Sequence, residues 1–359
     1  MIIFASVMKK FLLLAALGLL AACAPKETPA LLVGTYADAF YALDPVSGEV
    51  IGEAVLPNPS FLALAGNKVY AVSEMPDSSA SVSAWRFGGN GFAFLNARPS
   101  GLNGLQGEDP CHVAVCGKLL AVSNYSGGTL ALFRLTEEGF IAPMDSLVVS
   151  GTGGPDPVRQ DRPHVHCSVF SPDGKHLFFS EFSADAIGGL DLVGGQTPRN
   201  YRRAAALPAD FGPRHLLFDG RGERLYVIGE LSGDIAVFDH EAGRLTLRQI
   251  VQADETGARG AADLHLSPDG RFLYASLRLQ NDGIAVFAVH PDGSLEKTGY
   301  QRTGDHPRHF AVTEKEVAVA CRDADCVEIY ERDPRNGQLR DSGRRLRVPR
   351  PAFVAFSGR

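Results

Sequence analysis

Three short stretches of this 359-residue chain carry side chains suited to acid–base and anion chemistry. The first, RQDRPHVH at 159–166, sets Arg159 and Gln160 ahead of His164 and His166. Residues two apart on an extended chain point to the same side, and imidazole exchanges protons near neutral pH. The second, GPRH at 212–215, offers Arg214, and the third, IGE at 228–230, ends in Glu230. Arg278, Arg308 and Arg322 add guanidiniums, which grip carboxylate or phosphate through paired N–H donors. This set suffices for water attack on a carbonyl. Glu230 or a histidine would take the proton, Arg214 and the second imidazole would face the oxyanion, and the remaining arginines would hold an anionic group. No GxSxG elbow is present, which disfavours a serine acyl-enzyme. Two histidines without a third ligand make a weak metal signal, so neither metal nor cofactor is expected.

The elements that must position these residues repeat along the chain. NPSFLALAGNKVYAVSE (58–74), DPCHVAVCGKLLAVSN (109–124), HVHCSVFSPDGKHLFFSEF (164–182) and GPRHLLFDGRGERLYVIGE (212–230) align with one another. AADLHLSPDGRFLYASLR (261–278), HPRHFAVTEKEVAVACR (306–322) and RPAFVAFSGR (350–359) complete seven copies. The position of His215 recurs at 61, 112, 167, 215, 263, 309 and 353, a loose period near fifty. Each copy runs apolar strand, turn, second strand, then an alternating third strand such as DIAVFDH (234–240), with glycine opening a fourth. The turn reads SPDG at 171–174 and 267–270, where glycine supplies the positive φ. A fifty-residue unit of four strands predicts an all-β, seven-bladed propeller. The last copy stops after one strand, and LLVGTYADAFYALDPVSGEV after residue 30 supplies the missing three. The ring should therefore close by pairing N- and C-terminal strands, which removes exposed edges.

Repetition explains some of the polar residues as architecture. His112, His215 and His309 share one repeat position and read first as packing residues. Function belongs where the copies differ. The head of the first strand carries Ser60, Cys111, His166, Arg214, Ala262, Arg308 and Ala352. The end of the second carries Glu74, Asn124, Phe182, Glu230, Arg278 and Arg322, with Thr35 in the closing blade. In a propeller both ends lie near the axis at one face, so these sets converge on one pocket. A ring of structural salt bridges, such as Glu230 with Arg278, is the plain competitor.

A net charge of −6 argues against nucleic acid as a partner. The N-terminus differs from the rest: Lys9 and Lys10 precede FLLLAALGLL (11–20), and LAAC follows. A basic start and a ten-residue apolar run match an export signal too short to span a bilayer. LAAC resembles the bacterial lipobox, which implies a signal peptide over 1–22, lipidation at Cys23, a tether over 23–30 and a propeller over 31–359. The expected location is a lipoprotein facing the periplasm or cell exterior, touching membrane through its lipid alone. Export permits oxidation of thiols, and Cys321 and Cys326 flank a turn-like RDAD, so a bridge between them is geometrically possible.

RQDRPHVH, SPDGKHLFF, GPRHLLF, RLYVIGEL and AADLHLSPDGRFLYASLR, in this order, resemble the bacterial lactonase family of seven-bladed propellers. That family includes 6-phosphogluconolactonase and is related to the fungal carboxymuconate cycloisomerase. The resemblance implies a metal-independent lactone hydrolase with a small, anionic sugar-type or carboxylated lactone as partner. It implies catalytic roles for His164 or His166, Arg214, Glu230 and Arg278. Substrate contacts then fall to Arg159, Gln160, Asn124, Asp263, Arg308 and Arg322. Gly229, Leu277, the Ser180–Ser183 run and Asp263 depart from the family's usual residues. Two other readings compete. A calcium-dependent lactonase would use Glu74, Asn124 and Glu230 as oxygen ligands, and a non-enzymatic exported propeller would bind protein or glycan.

Overall fold

The computed structural model describes residues 29–89, 91–148, 154–192 and 201–358. The expected signal peptide, Cys23 and most of the tether lie outside the described residues. Seven four-stranded antiparallel sheets form the ring, as the repeat predicts. Blades 1 to 6 begin at Leu62, Pro110, Val165, Pro213, Leu264 and Pro307. Blade 7 is composite: Pro351–Phe356 pairs with Leu31–Thr35, which continues into Ala39–Leu43 and Val50–Val55. Leu31 faces Phe356 and Val33 faces Val354, so the chain's two ends zip the ring shut.

The burial pattern explains why these stretches become strands. The second strands are mostly apolar and buried almost end to end, as in Phe272–Leu277. Outer strands such as Arg244–Gln252 alternate toward solvent, as expected of an element with one wet face. The core lies between blades. Tyr226 and Val237 of blade 4 pack on Leu264, Leu273 and Phe287 of blade 5, and Val72 and Val82 of blade 1 on Val113 and Val122 of blade 2. Each fully buried large apolar side chain contributes roughly 1.5–3 kcal/mol. Isolated hairpins are marginal, so the inter-blade seams hold the ring. In both SPDG turns the hydroxyl of Ser171 or Ser267 donates to the aspartate two residues on, and Gly174 and Gly270 take φ of +67° and +69°.

One feature of the fold decides which side chains reach the axis. In blades 2, 3, 4 and 6 the first strand breaks register near its head, between Pro110 and His112, Val165 and Ser168, Pro213 and Leu216, and Pro307 and His309. The residues skipped are Cys111, His166 with Cys167, Arg214 with His215, and Arg308. A bulge leaves its extra residue unpaired and re-aims it, so Arg214 and His215, which strict alternation would send opposite ways, are both freed from the ladder. In blade 3 the Ser180 hydroxyl accepts the amides of His166 and Cys167 and so satisfies the bulge.

Cys321 and Cys326 oppose each other across the hairpin formed by Arg322–Ala324 and a left-handed Asp325. They are free thiols, as are Cys111, Cys116 and Cys167.

Candidate active site

Glu230 ends the second strand of blade 4, and three guanidiniums from three blades converge on it. Arg159 Nη2 donates to Oε1 at 2.8 Å. Arg214 Nε lies 2.8 Å and Arg278 Nη2 3.4 Å from Oε2. Arg214 and Arg278 are 2% and 5% exposed, so both cations are desolvated and depend on this one carboxylate. Burial alone would raise the Glu230 pKa, but Arg278, Arg214 and Arg159 overcome it and hold the group at about 2. Backbone carbonyls finish the clamp: Ala262 accepts from Arg214 at 2.5 Å and Gly260 from Arg278 at 2.8 Å. A carboxylate so occupied is a weak proton acceptor. Its role is to aim arginines.

The histidine pair meets on Tyr125 of blade 2. His164 stacks on that ring at 4.2 Å and 4°, and its Nδ1 donates to the Tyr125 carbonyl at 2.8 Å, leaving Nε2 as acceptor. His166 meets the same ring edge-on at 5.6 Å, and its buried Nδ1 has no partner among the described residues. Burial, then Arg214, pushes the His166 pKa well below the usual value, so the ring is neutral. The loop before the pair is tied down from both sides. Asp156 accepts the amides of Val158 and Arg159, and Arg259 of blade 5 bonds Asp156 at 2.7 Å. Gln160 belongs to this scaffold, with its amide on the Phe182 carbonyl and Asp185 Oδ1.

Arg308 heads the first strand of blade 6, next to the blade that carries Arg278. It stacks over the Tyr36 ring at 4.9 Å and forms no ion pair among the described residues, although it interacts electrostatically with both Glu74 and Glu230. Glu74 accepts from the Tyr36 hydroxyl at 2.9 Å on each oxygen and from Ser60 Oγ. Burial raises the Glu74 pKa despite Arg308, Ser60 and Tyr36. Arg322 sits at the rim on Asp323, joined to Arg278 through His306.

The sequence-derived set therefore divides. Arg159, His164, His166, Arg214, Glu230 and Arg278 form one connected wall, with Arg308 on the next blade beyond Arg278 and Arg322 at the rim. Asn124 is fully buried with its amide nitrogen on the Ser100 carbonyl and Thr129 Oγ1, while its Oδ1 has no partner among the described residues. Asp263 is also spent on structure: it accepts from His215 at 2.6 Å, His265 at 3.0 Å and the amides of Leu264 and Phe310. Reasoning from sequence missed Tyr36 and Tyr125. They fall one residue beyond the aligned Thr35 and Asn124, so shifting the repeat position by one would have found them.

The histidines expected to pack do so: Phe61 contacts His112, His215 and His309 rings at 4.3, 5.9 and 5.4 Å. Asp263, His265 and His309 present ligand-type atoms within 4.8 Å of one another. The Val354 amide donates to His309 Nδ1, however, so the proton of the neutral ring sits on Nε2, facing Asp263. This cluster fits a hydrogen-bond hub better than a cation. The calcium reading fares no better, since the Glu230 carboxylate it needs is already shared by three guanidiniums.

The class the fold and site define is a closed seven-bladed β-propeller in which charged side chains carried by blades 3, 4 and 5 meet at one site. The chain belongs to the family described as Lactonase, 7-bladed beta-propeller, which matches residues 31–356. It is 31% identical to a 6-phosphogluconolactonase of Formosa agariphila over 299 residues, covering 79% of this chain and 83% of that protein. The Bacillus subtilis 6-phosphogluconolactonase is 29% identical over 318 residues, with 84% and 88% covered. Among solved structures, the periplasmic gluconolactonase of Pseudomonas aeruginosa superposes with a TM-score of 0.83 at 30% identity, over 92% of this chain and 99% of that one.

Proposed function

We propose that this protein is a lactone hydrolase acting, without a metal, on a sugar-type or carboxylated lactone that carries an anionic group. One observation supports this most directly. Two desolvated guanidiniums, Arg214 and Arg278, and the part-exposed Arg159 share Glu230, while a fourth, Arg308, faces the same channel with no carboxylate of its own. A cation without a partner in a half-buried, water-poor site is what a developing oxyanion requires. Arg308 and Arg214 polarise the lactone carbonyl, and Arg159 and Arg322 at the mouth meet the anionic substituent. His164 and His166 line the wall beside them. Glu230 keeps the arginines in place and is too weak a base to activate water.

The test is titration of released acid by the purified chain. Substrates are glucono- and 6-phosphogluconolactone and muconolactones, with and without EDTA. Turnover that survives EDTA and favours the anionic lactone, with the preference shrinking as salt rises, supports the reading. A folded protein that turns over none of them overturns it, and a non-enzymatic propeller becomes the better account.

We further propose export as a lipoprotein anchored through Cys23. The basic and apolar N-terminal run and the LAAC tetrapeptide support this, as does similarity to a relative described as periplasmic. Labelled palmitate should enter the wild-type chain in cells and not a Cys23→Ser variant.

A further inference from the structure

Hydrolysis needs a group that takes a proton from water, and Glu230 is disqualified by its three arginines. Each neutral histidine is an imperfect substitute. A protonated His166 would add a buried cation beside Arg214 and Arg308, both of which already depress its proton affinity after burial itself. Protonating a buried carboxylate instead removes a charge from a low-dielectric site.

Glu74 fits that requirement by position. It occupies the same repeat position as Glu230, at the end of a second strand, three blades away in a ring of seven. Propeller symmetry therefore sets the two carboxylates at similar height on nearly opposite walls. Arg308 interacts with both. The partners of Glu74 Oε1 and Oε2 are the neutral hydroxyls of Tyr36 and Ser60, and the charged or titratable groups around it are Arg308, Asp109 and Tyr36. Cys111 is the other titratable neighbour. The Glu74 side chain is half-buried, not sealed.

We propose that Glu74 is the general base and acid of the lactonase reaction, working opposite the Glu230 arginine clamp. As the water oxygen bonds to the carbonyl carbon, one water O–H bond breaks and its proton passes to Glu74. When the ring C–O bond then breaks, that proton moves to the ring oxygen, and the net change is addition of one water. Two carboxyl groups whose surroundings drive their proton affinities apart make such a division of labour workable.

This assignment rests on the lactonase reading, and the test keeps the two apart. The pH dependence of kcat/KM reports the free enzyme's essential groups. Wild type should show an acidic limb above the ordinary glutamate range. Glu74→Gln should lower kcat by roughly 10²–10⁴-fold and abolish that limb, with little change in unfolding midpoint. Tyr36→Phe removes a hydrogen bond that favours the charged form, so its limb should move to higher pH. Difference infrared spectra should show a carboxylic C=O band titrating with the limb and missing from Glu74→Gln. An active wild type whose Glu74→Gln variant keeps rate and limb overturns the proposal. A wild type inactive on all lactones overturns the reading beneath it.

Discussion

Replacing Glu230 by glutamine tests the architecture of the site through stability, independently of any substrate. The carboxylate serves Arg159, Arg214 and Arg278, and the last two are buried. Removing one partner of a buried ion pair costs about 3–5 kcal/mol, because it strands the other charge. The proton affinity gives a second route to the magnitude. A folded-state pKa of about 2 against the ordinary glutamate value of 4.5 corresponds to about 3 kcal/mol. The folded value lies below the unfolded one, so this stability is fully present above pH 4.5 and lost as pH falls toward 2. Trp85, the chain's single tryptophan, packs on Phe40 and Phe94 and reports urea unfolding by fluorescence. Glu230→Gln should unfold about 3 kcal/mol more easily than wild type at pH 7, and the gap should narrow below pH 4.5. Adding Arg278→Met should recover part of the loss, since it removes a stranded cation. A gap below about 0.5 kcal/mol, the level of an ordinary surface substitution, or one independent of pH, would refute the reasoning.

Three further outcomes follow from particular contacts. Asp263→Asn removes a carboxylate that accepts hydrogen bonds from neighbouring imidazoles and amides, and urea unfolding should show a loss of about 1.5–3 kcal/mol with modest change in KM. Gly128 sits at φ +59°, and a Cβ there would lie 2.7 Å from the Pro163 carbonyl oxygen. Gly128→Ala should therefore displace the segment carrying His164, lowering kcat about tenfold, within the scale of a small misplacement of reacting groups. Deleting 351–359 exposes the apolar edge Leu31–Thr35, and size-exclusion chromatography should show aggregate in place of a monodisperse ring.

Much of the fold was legible because a propeller writes its geometry into a repeat. The position of His215 recurring seven times, SPDG at two turns and an orphan last strand each reflect a local rule: turn chemistry, strand alternation, or the need to pair an edge. The ring and its closure follow. The wall around Glu230 was also visible, because charged residues at apolar repeat positions stand out. What the sequence could not express is how those charges are shared. Gln160, Asn124 and Asp263 have the residue types of substrate contacts, yet tertiary hydrogen bonds spend them on the loop, the blade and the histidine hub. Glu74 and Glu230 occupy equivalent positions in the repeat. One is surrounded by guanidiniums and the other by hydroxyls because of what its own blade and the neighbouring blades present to it, and because register breaks free Arg214 and Arg308 from the ladder. Strand identity is a property of neighbouring residues, whereas proton affinity depends on groups brought close from far along the chain.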